Sequence, residues 1–338
     1  MHKAKKESTH LPLFILGGAV LYFLSGLVDE LRVYQGATIA VYVIAISSII
    51  LLTGYSGQVS LGHGALMAVG AYAAAVLRIE FNLPIILCFV VAVLAAAIGG
   101  ALLGAAAARL SGPYLAGTTL ALAIGLPSLA NQFEILGGEQ GLLFDVGFPP
   151  LALGEEFTQY KWFFWIAALA ALISMWVIRN LLNSAYGRAW RAGRGNEVAA
   201  QLAGINTARS KVLAFTISAG IAGLAGALLA MTIGTVSPSA FPLALSFSLL
   251  TGAVLSGITT LGGVIIGAVV LVAIPEIADV VAHRLGSSES VTTNLPGLIV
   301  SGLLILTVLF VPNGPVEQHR ARKAKHAAQH ASSKKEKH

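Results

Sequence analysis

The sequence predicts an all-α polytopic membrane protein of about ten transmembrane helices, one or two of them broken or re-entrant. Three observations carry that prediction. First, 56% of the residues are hydrophobic and only 11% charged, whereas a soluble domain holds about a quarter charged residues; mean hydropathy is +0.81. Second, the apolar residues gather in ten runs, and a hydrocarbon core about 30 Å thick asks for roughly 20 such residues per helix. Third, the charges fall between the runs in an order that a membrane topology explains.

The runs cover 11–28, 37–52, 59–77, 84–108, 114–130, 162–182, 212–233, 242–258, 262–282 and 295–311. Lys3, Lys5 and Lys6, in the basic segment 1–10, place the N-terminus in the cytoplasm by the positive-inside rule. Six spans later the basic stretch 186–211 returns to the cytoplasm. Four more bring the basic tail 312–338 there, so both termini are expected inside and the tail is expected to be disordered. The longest loop on the opposite side, 131–161, holds five acids against Lys161. No small-residue cleavage site follows the N-terminal basic residues, so no cleaved signal is expected. A single cysteine, Cys88, excludes an internal disulfide framework. The net charge of +6 sits in loops and tails, which suits lipid headgroups and gives no reason to expect nucleic-acid binding.

The third run and its approach are unusually polar. Gly54, Gly57, Gly62 and Gly64 alternate there with Ser56, Gln58, Ser60 and His63, which predicts a helix that is broken or enters late. Irregular backbone at membrane depth survives only where protein buries it or water reaches it. Gly57, Gln58, Ser60, Gly62 and His63 are therefore candidates for a translocation-pathway lining. The plainer alternative is close helix packing at the glycines, with His63 satisfied by a neighbouring carbonyl; a lone histidine supplies no ligand set. Ser56-Gly57-x-x-x-Leu61-Gly62 recurs as Ser256-Gly257-x-x-x-Leu261-Gly262, with Thr53-Gly54 and Thr251-Gly252 ahead of each. In a chain with 37 glycines, chance accounts for that echo as readily as an internal repeat.

The acidic loop contains Leu136-Gly137-Gly138-Glu139-Gln140-Gly141. The glycines are ordinary turn chemistry, and the position makes Gly137, Gly138, Glu139 and Gly141 candidates for docking an outer partner. The stretch 186–211 carries Arg188, Arg191, Arg194, Arg209 and Lys211 against Glu197 alone. A short helix lies inside it: Asn196 is a good N-cap, Glu197 puts an acid in the first turn, and Gly204 can end the helix left-handed. Ala199, Ala200 and Ala203 leave one side nearly flat, a shape suited to a groove on a partner protein. A solvated loop resting on headgroups is the competing reading. In the tail, His319, His326, His330 and His338 would allow a metal, but seven Lys and Arg favour a lipid-facing polybasic segment.

Absences narrow the class. No run carries Asp, Glu, Lys or Arg near its middle; Glu276 and Asp279, close to an outer end, come nearest. Ion- and proton-coupled transporters generally need such groups. The chain has no Gly-x-x-x-x-Gly-Lys-Ser/Thr phosphate loop and no clustered catalytic set at depth, so neither an ATPase nor a membrane enzyme is expected, and no cofactor or metal of its own. A passive channel or facilitator, or a pathway driven from outside the chain, remains.

Three blocks then resemble the permeases of ATP-binding-cassette importers for branched-chain amino acids. Gly54-x-x-Gly57-Gln58-x-Ser60-Leu61-Gly62-His63 is similar to one block of that family. Arg188, Arg191, Arg194, Glu197-x-Ala199-Ala200 and Gly204-Ile205-Asn206 are similar to its cytoplasmic coupling block. Leu261-Gly262 to Pro275-Glu276, with the closing Leu309-Phe310-Val311-Pro312-Asn313-Gly314, are similar to its C-terminal part. Gly193 and Gly195 depart from it, standing where an aliphatic and an acidic residue are commoner. The resemblance implies a heterodimer with a sister permease and two cytoplasmic ATPase subunits that bind ATP and Mg. It also implies an extracytoplasmic binding protein and an inner-membrane location. It assigns Arg188, Arg191, Arg194, Glu197, Ala199, Ala200 and Gly204 to ATPase coupling, with Ala199 and Ala200 against the ATPase. Urea and short-amide permeases share the scaffold, so cargo stays open between these classes.

Overall fold

The computed structural model describes residues 29–110, 112–150, 153, 157–284 and 289–310. The run 11–28 and the tail from 311 onward lie outside them. Eleven α-helices follow in order: α1 Glu30–Ile49, α2 His63–Phe81, α3 Ile85–Ala107, α4 Pro113–Ala130, α5 Gln159–Asn183, α6 Ala185–Gly195, α7 Glu197–Leu202, α8 Thr207–Ile233, α9 Leu243–Leu255, α10 Val264–Arg284 and α11 Glu289–Phe310. Among the described residues, eight helical segments are long and apolar enough to cross a membrane. This is a multi-pass, all-α membrane protein.

Hydrophobicity on every side of a helix means it belongs in the interior. α1 fits that rule: Val41, Ile44, Ile46 and Ile49 are buried at different angles around it. It continues without interruption into a π-helical turn, Ile50–Tyr55. Around α1 stand α5, α8, α9 and α10.

A second centre is the contact of α8 with α2 and α3, built from small residues. Ala92, Ala96, Gly100 and Gly104 recur every four residues along α3, and all are buried. A Cβ at Gly104 would stand 2.7 Å from Val212 Cα, and one at Gly223 would stand 2.7 Å from the Ala92 carbonyl. Gly70 of α2 meets the backbone of Gly223. Lipid tails give helices no hydrophobic reason to associate, so backbone-to-backbone approach of this kind carries much of the attraction.

The late-entering third run is confirmed. Ser56–Gly62 is non-helical and α2 begins only at His63. A matching break separates α9 from α10. Ser56 and Ser256 are both right-handed, while Gly57 (φ 74°) and Gly257 (φ 82°) are both left-handed. The sequence echo is thus the same turn made twice. The two copies touch: Gly54 packs on the Ile258 carbonyl and Tyr55 Oη donates to Thr259 O at 2.9 Å.

One element was not anticipated. Residues 185–195 form α6 rather than loop, begun by Ser184 Oγ accepting from Tyr186 N at 3.2 Å. Trp190 nails it down, buried and donating through Nε1 to Ser210 O at 2.9 Å. On the opposite face, β1 (Leu142–Leu143) pairs antiparallel with β2 (Thr235–Val236), joining the acidic loop to the end of α8.

Candidate functional site

The start of α2 has no side-chain cap of its own, because Gly62 occupies the N-cap position. Its free N–H groups need partners from elsewhere. Gly64 N donates to Ser246 Oγ of α9 at 3.0 Å, and Leu61 N to Thr119 Oγ1 of α4 at 3.0 Å. A Cβ at Gly62 would stand 2.7 Å from the Thr119 carbonyl, so α4 crosses there. His63 is 1% exposed and bonded at both nitrogens, Nδ1 to Ser60 Oγ at 3.1 Å and Nε2 to Ser218 Oγ at 3.0 Å. Ser218 spends its proton on Ser48 O at 2.7 Å. It therefore accepts from His63 Nε2–H, and Nδ1 accepts from Ser60. The plainer reading of His63 is the right one in kind, with hydroxyls in place of the expected carbonyl.

These contacts divide the five pathway candidates. Gly57 and Gln58 line an open cleft of about 520 Å³, together with Thr53, Arg194, Glu197 and Lys211. That volume lies in the range of small-molecule sites. Ser60, Gly62 and His63 are instead enclosed by the chain's own helices. Their polar groups are paired within the chain.

The cleft's other wall is the basic stretch. Asn196 Oδ1 accepts from Ala199 N at 3.0 Å, opening α7. The far end is a Schellman stop: Gly204 N donates to Gln201 O at 2.9 Å and Ile205 N to Ala200 O at 3.0 Å, with Gly204 at φ 84°. A second asparagine, Asn206, caps α8 through Arg209 N at 2.9 Å. Glu197 reaches across to Lys211 of α8 at 2.8 Å, and Gln201 to Thr207 at 2.9 Å. The short helix is therefore held in one orientation on α8.

That orientation corrects one residue. Ala200 is buried within the chain, because the side bearing it turns inward. Ala199, Ala203 and Gly204 remain on the exposed side, with Val198 at 65% and Leu202 at 85% exposure. Two large exposed apolar side chains on a polar loop are a feature that the flat-face argument passed over. The pairing of Lys211 with Glu197 and the bond from Trp190 to Ser210 were not readable in the sequence, since the partners lie 14 and 20 residues apart.

The three arginines do different things. Arg188 donates to the Asn183 carbonyl, at 3.4 Å. Arg191 donates to Leu182 O at 3.2 Å and lies over the Tyr55 ring, 5.8 Å from its centre. Arg194 donates to Gly54 O in the π-helical turn.

On the opposite face, Gly137, Gly138 and Gly141 have φ values of 78°, 56° and 74°, where glycine alone is at ease. Gly141 also packs on the Val236 carbonyl. Their role within the chain is to shape the turn into β1. Exposed Glu139 shares that surface with Phe133, Ile135, Leu143 and Phe148, all more than half exposed.

Residues 34–309 match the family model described as "Branched-chain amino acid transport system / permease component". The high-affinity branched-chain amino acid transport system permease protein LivM of Escherichia coli K12 is 34% identical over 296 residues, 81% of this chain and 67% of the relative. The corresponding LivH protein of Salmonella typhimurium is 31% identical over 191 residues, covering 56% of this chain and 54% of its own length. The autoinducer 2 import system permease protein LsrC of Salmonella paratyphi B is 33% identical over 107 residues, 31% and 30% of the two chains. No solved structure matches. By the extent of these matches, the chain belongs to the family of permease components of branched-chain amino acid transport systems.

Proposed function

We propose that this chain is the membrane-spanning subunit of an ATP-driven importer of branched-chain or related neutral amino acids. On this reading it pairs with a sister permease in the inner membrane, with α6–α7 in the cytoplasm and the 131–150 loop outside. Two cytoplasmic ATPases, which bind the ATP and Mg, dock on α7, and an extracytoplasmic binding protein delivers cargo to the Phe133–Phe148 surface.

The observation that carries the reading is the surface of α7. Val198 and Leu202 stand out at 65% and 85% exposure on a helix capped at both ends and tied to α8 by the Glu197–Lys211 pair. Among the described residues nothing covers Val198 and Leu202, whereas a groove in an ATPase would bury both side chains. ATP-driven closure of the ATPase pair would then shift α7 and, with it, the helix it is fixed to. What drives the change is the ATPases' unequal affinity for two permease states. Selectivity resides in the binding protein, so the membrane pathway needs few polar groups at mid-depth.

Reconstitution tests the reading. In proteoliposomes, uptake of a branched-chain amino acid should require the sister permease, ATPases, binding protein and ATP together. Substrate flux through this chain alone would overturn it in favour of a channel or facilitator.

A further inference from the structure

Arg194 stands at the last turn of α6, two residues before the N-cap of α7. Its guanidinium donates to the carbonyl of Gly54, inside the π-helical turn that ends the α1 segment. The carbonyls of a helix's last turn lack partners and carry the negative end of the helix dipole, so a cation is well placed there. The stem of the same side chain lies on Gly57, where an added Cβ would stand 2.9 Å from Arg194 Cγ and 3.3 Å from its Cβ. Gly57 and Arg194 both line the cleft. The other side of Gly54 rests on the Ile258 carbonyl, in the second break.

A parallel link runs beside this one. Arg191 covers the Tyr55 ring, and Tyr55 Oη donates to Thr259 O at 2.9 Å. Two arginines one turn apart on α6 thus reach Gly54 and Tyr55, at the end of the π-helical turn that leads into the first break, and those two residues reach Ile258 and Thr259 in the second. Arg188, one turn earlier, touches neither.

We infer that Arg194 is a positioning residue that couples the α7 loop to the paired breaks bordering the cleft, with Arg191 as its second point of attachment. The inference rests on the importer reading and reassigns Arg194 from the ATPase surface to the chain's own gate region. Displacing α7 pulls directly on Gly54 and, through it, on the 256–260 turn. The breaks can yield because each is irregular backbone with a left-handed glycine, while the α3–α8 contact is locked by small residues.

The test uses the complete importer in proteoliposomes, with Arg194→Ala, Arg194→Lys, Gly57→Ala and Arg188→Ala. Three quantities are read: ATPase subunits co-purified, substrate imported, and ATP hydrolysed per substrate. Arg194→Ala should bind ATPases as the wild type does while uptake falls by roughly tenfold, the loss expected for one charge-assisted hydrogen bond, and ATP hydrolysed per substrate rises. Arg194→Lys should recover part of the coupling. Gly57→Ala should reproduce the uncoupling with the arginine present, because its methyl displaces the Arg194 stem. Arg188→Ala is the charge-matched comparison: any ATPase binding it loses should lower uptake and hydrolysis together, and a rise in ATP hydrolysed per substrate equal to that of Arg194→Ala would overturn the inference. Wild-type uptake and ratio in both Arg194→Ala and Gly57→Ala would overturn the inference. So would loss of ATPase binding in Arg194→Ala, which would place the residue at the partner surface. Failure of the wild-type chain to bind any ATPase would instead defeat the importer reading.

Discussion

Replacing Leu202 with aspartate should separate docking from folding. Leu202 is 85% exposed in this chain, so the substitution removes almost no internal contact, and surface changes of that kind stay within about 0.5 kcal/mol of neutral. If an ATPase groove covers the side chain, the complex loses the burial of a leucine, about 2 kcal/mol, and must also desolvate a carboxylate. The first term alone corresponds to roughly a 30-fold weaker complex. ATPase subunits should then fail to co-purify after dilution, and uptake and substrate-stimulated hydrolysis should fall together, with expression and thermal unfolding of the membrane domain unchanged. Ala200→Trp is the informative contrast. Ala200 is buried inside the chain, so its enlargement overpacks α7 against its own neighbours at a cost of about 1–3 kcal/mol, displacing the helix before any partner arrives. If Leu202→Asp keeps full ATPase binding and uptake, α7 is not the docking helix.

Three further outcomes follow from the packing. His63→Ala should lower the unfolding temperature in detergent, since Ser60 and Ser218 lose a buried partner at about 1–3 kcal/mol each; combined with Ser218→Ala the losses should be less than additive, and full additivity would remove the network. Gly223→Leu should abolish monodisperse protein, because even a Cβ there stands 2.7 Å from the Ala92 carbonyl, whereas Gly302→Ala, with open space around it, should purify normally. In a Cys88→Ala background, a cysteine at Gln140 should react with impermeant maleimide only from outside and one at Gly195 only from the cytoplasm; the reverse pattern would invert the topology.

Much of the architecture was legible because membrane helices announce themselves by length and apolarity. The caps of α7 were legible for a local reason: Asn196 and Gly204 each bond to an atom three residues away. Orientation was not. The alanines at 199, 200 and 203 look alike in sequence, and the ties of Glu197 to Lys211 and of Gln201 to Thr207 fix that Ala200 turns inward. One partner of His63 was invisible too, since Ser218 lies 155 residues further on. α6 was hidden by its three glycines and three arginines; a buried tryptophan and a serine cap outweigh poor propensity. The repeated Ser-Gly turn was visible but indistinguishable from chance until two left-handed glycines were seen side by side.

Translation delivers the start of α2 to the membrane long before Ser218 and Ser246 exist. α3, with no charged residue along Ile85–Ala107, can wait in lipid alone. The segment around His63 cannot, because hydrocarbon offers no partner for its imidazole or for the Gly64 N–H. The nascent chain therefore has to keep this segment in the headgroup layer, or sheltered by the insertion machinery, until α8 and α9 emerge. A chain truncated before α8 should leave a cysteine placed at Ser60 open to water-soluble reagents. The full-length chain should protect it. What buries His63 in the finished molecule thus makes insertion a late and cooperative event rather than one helix after another.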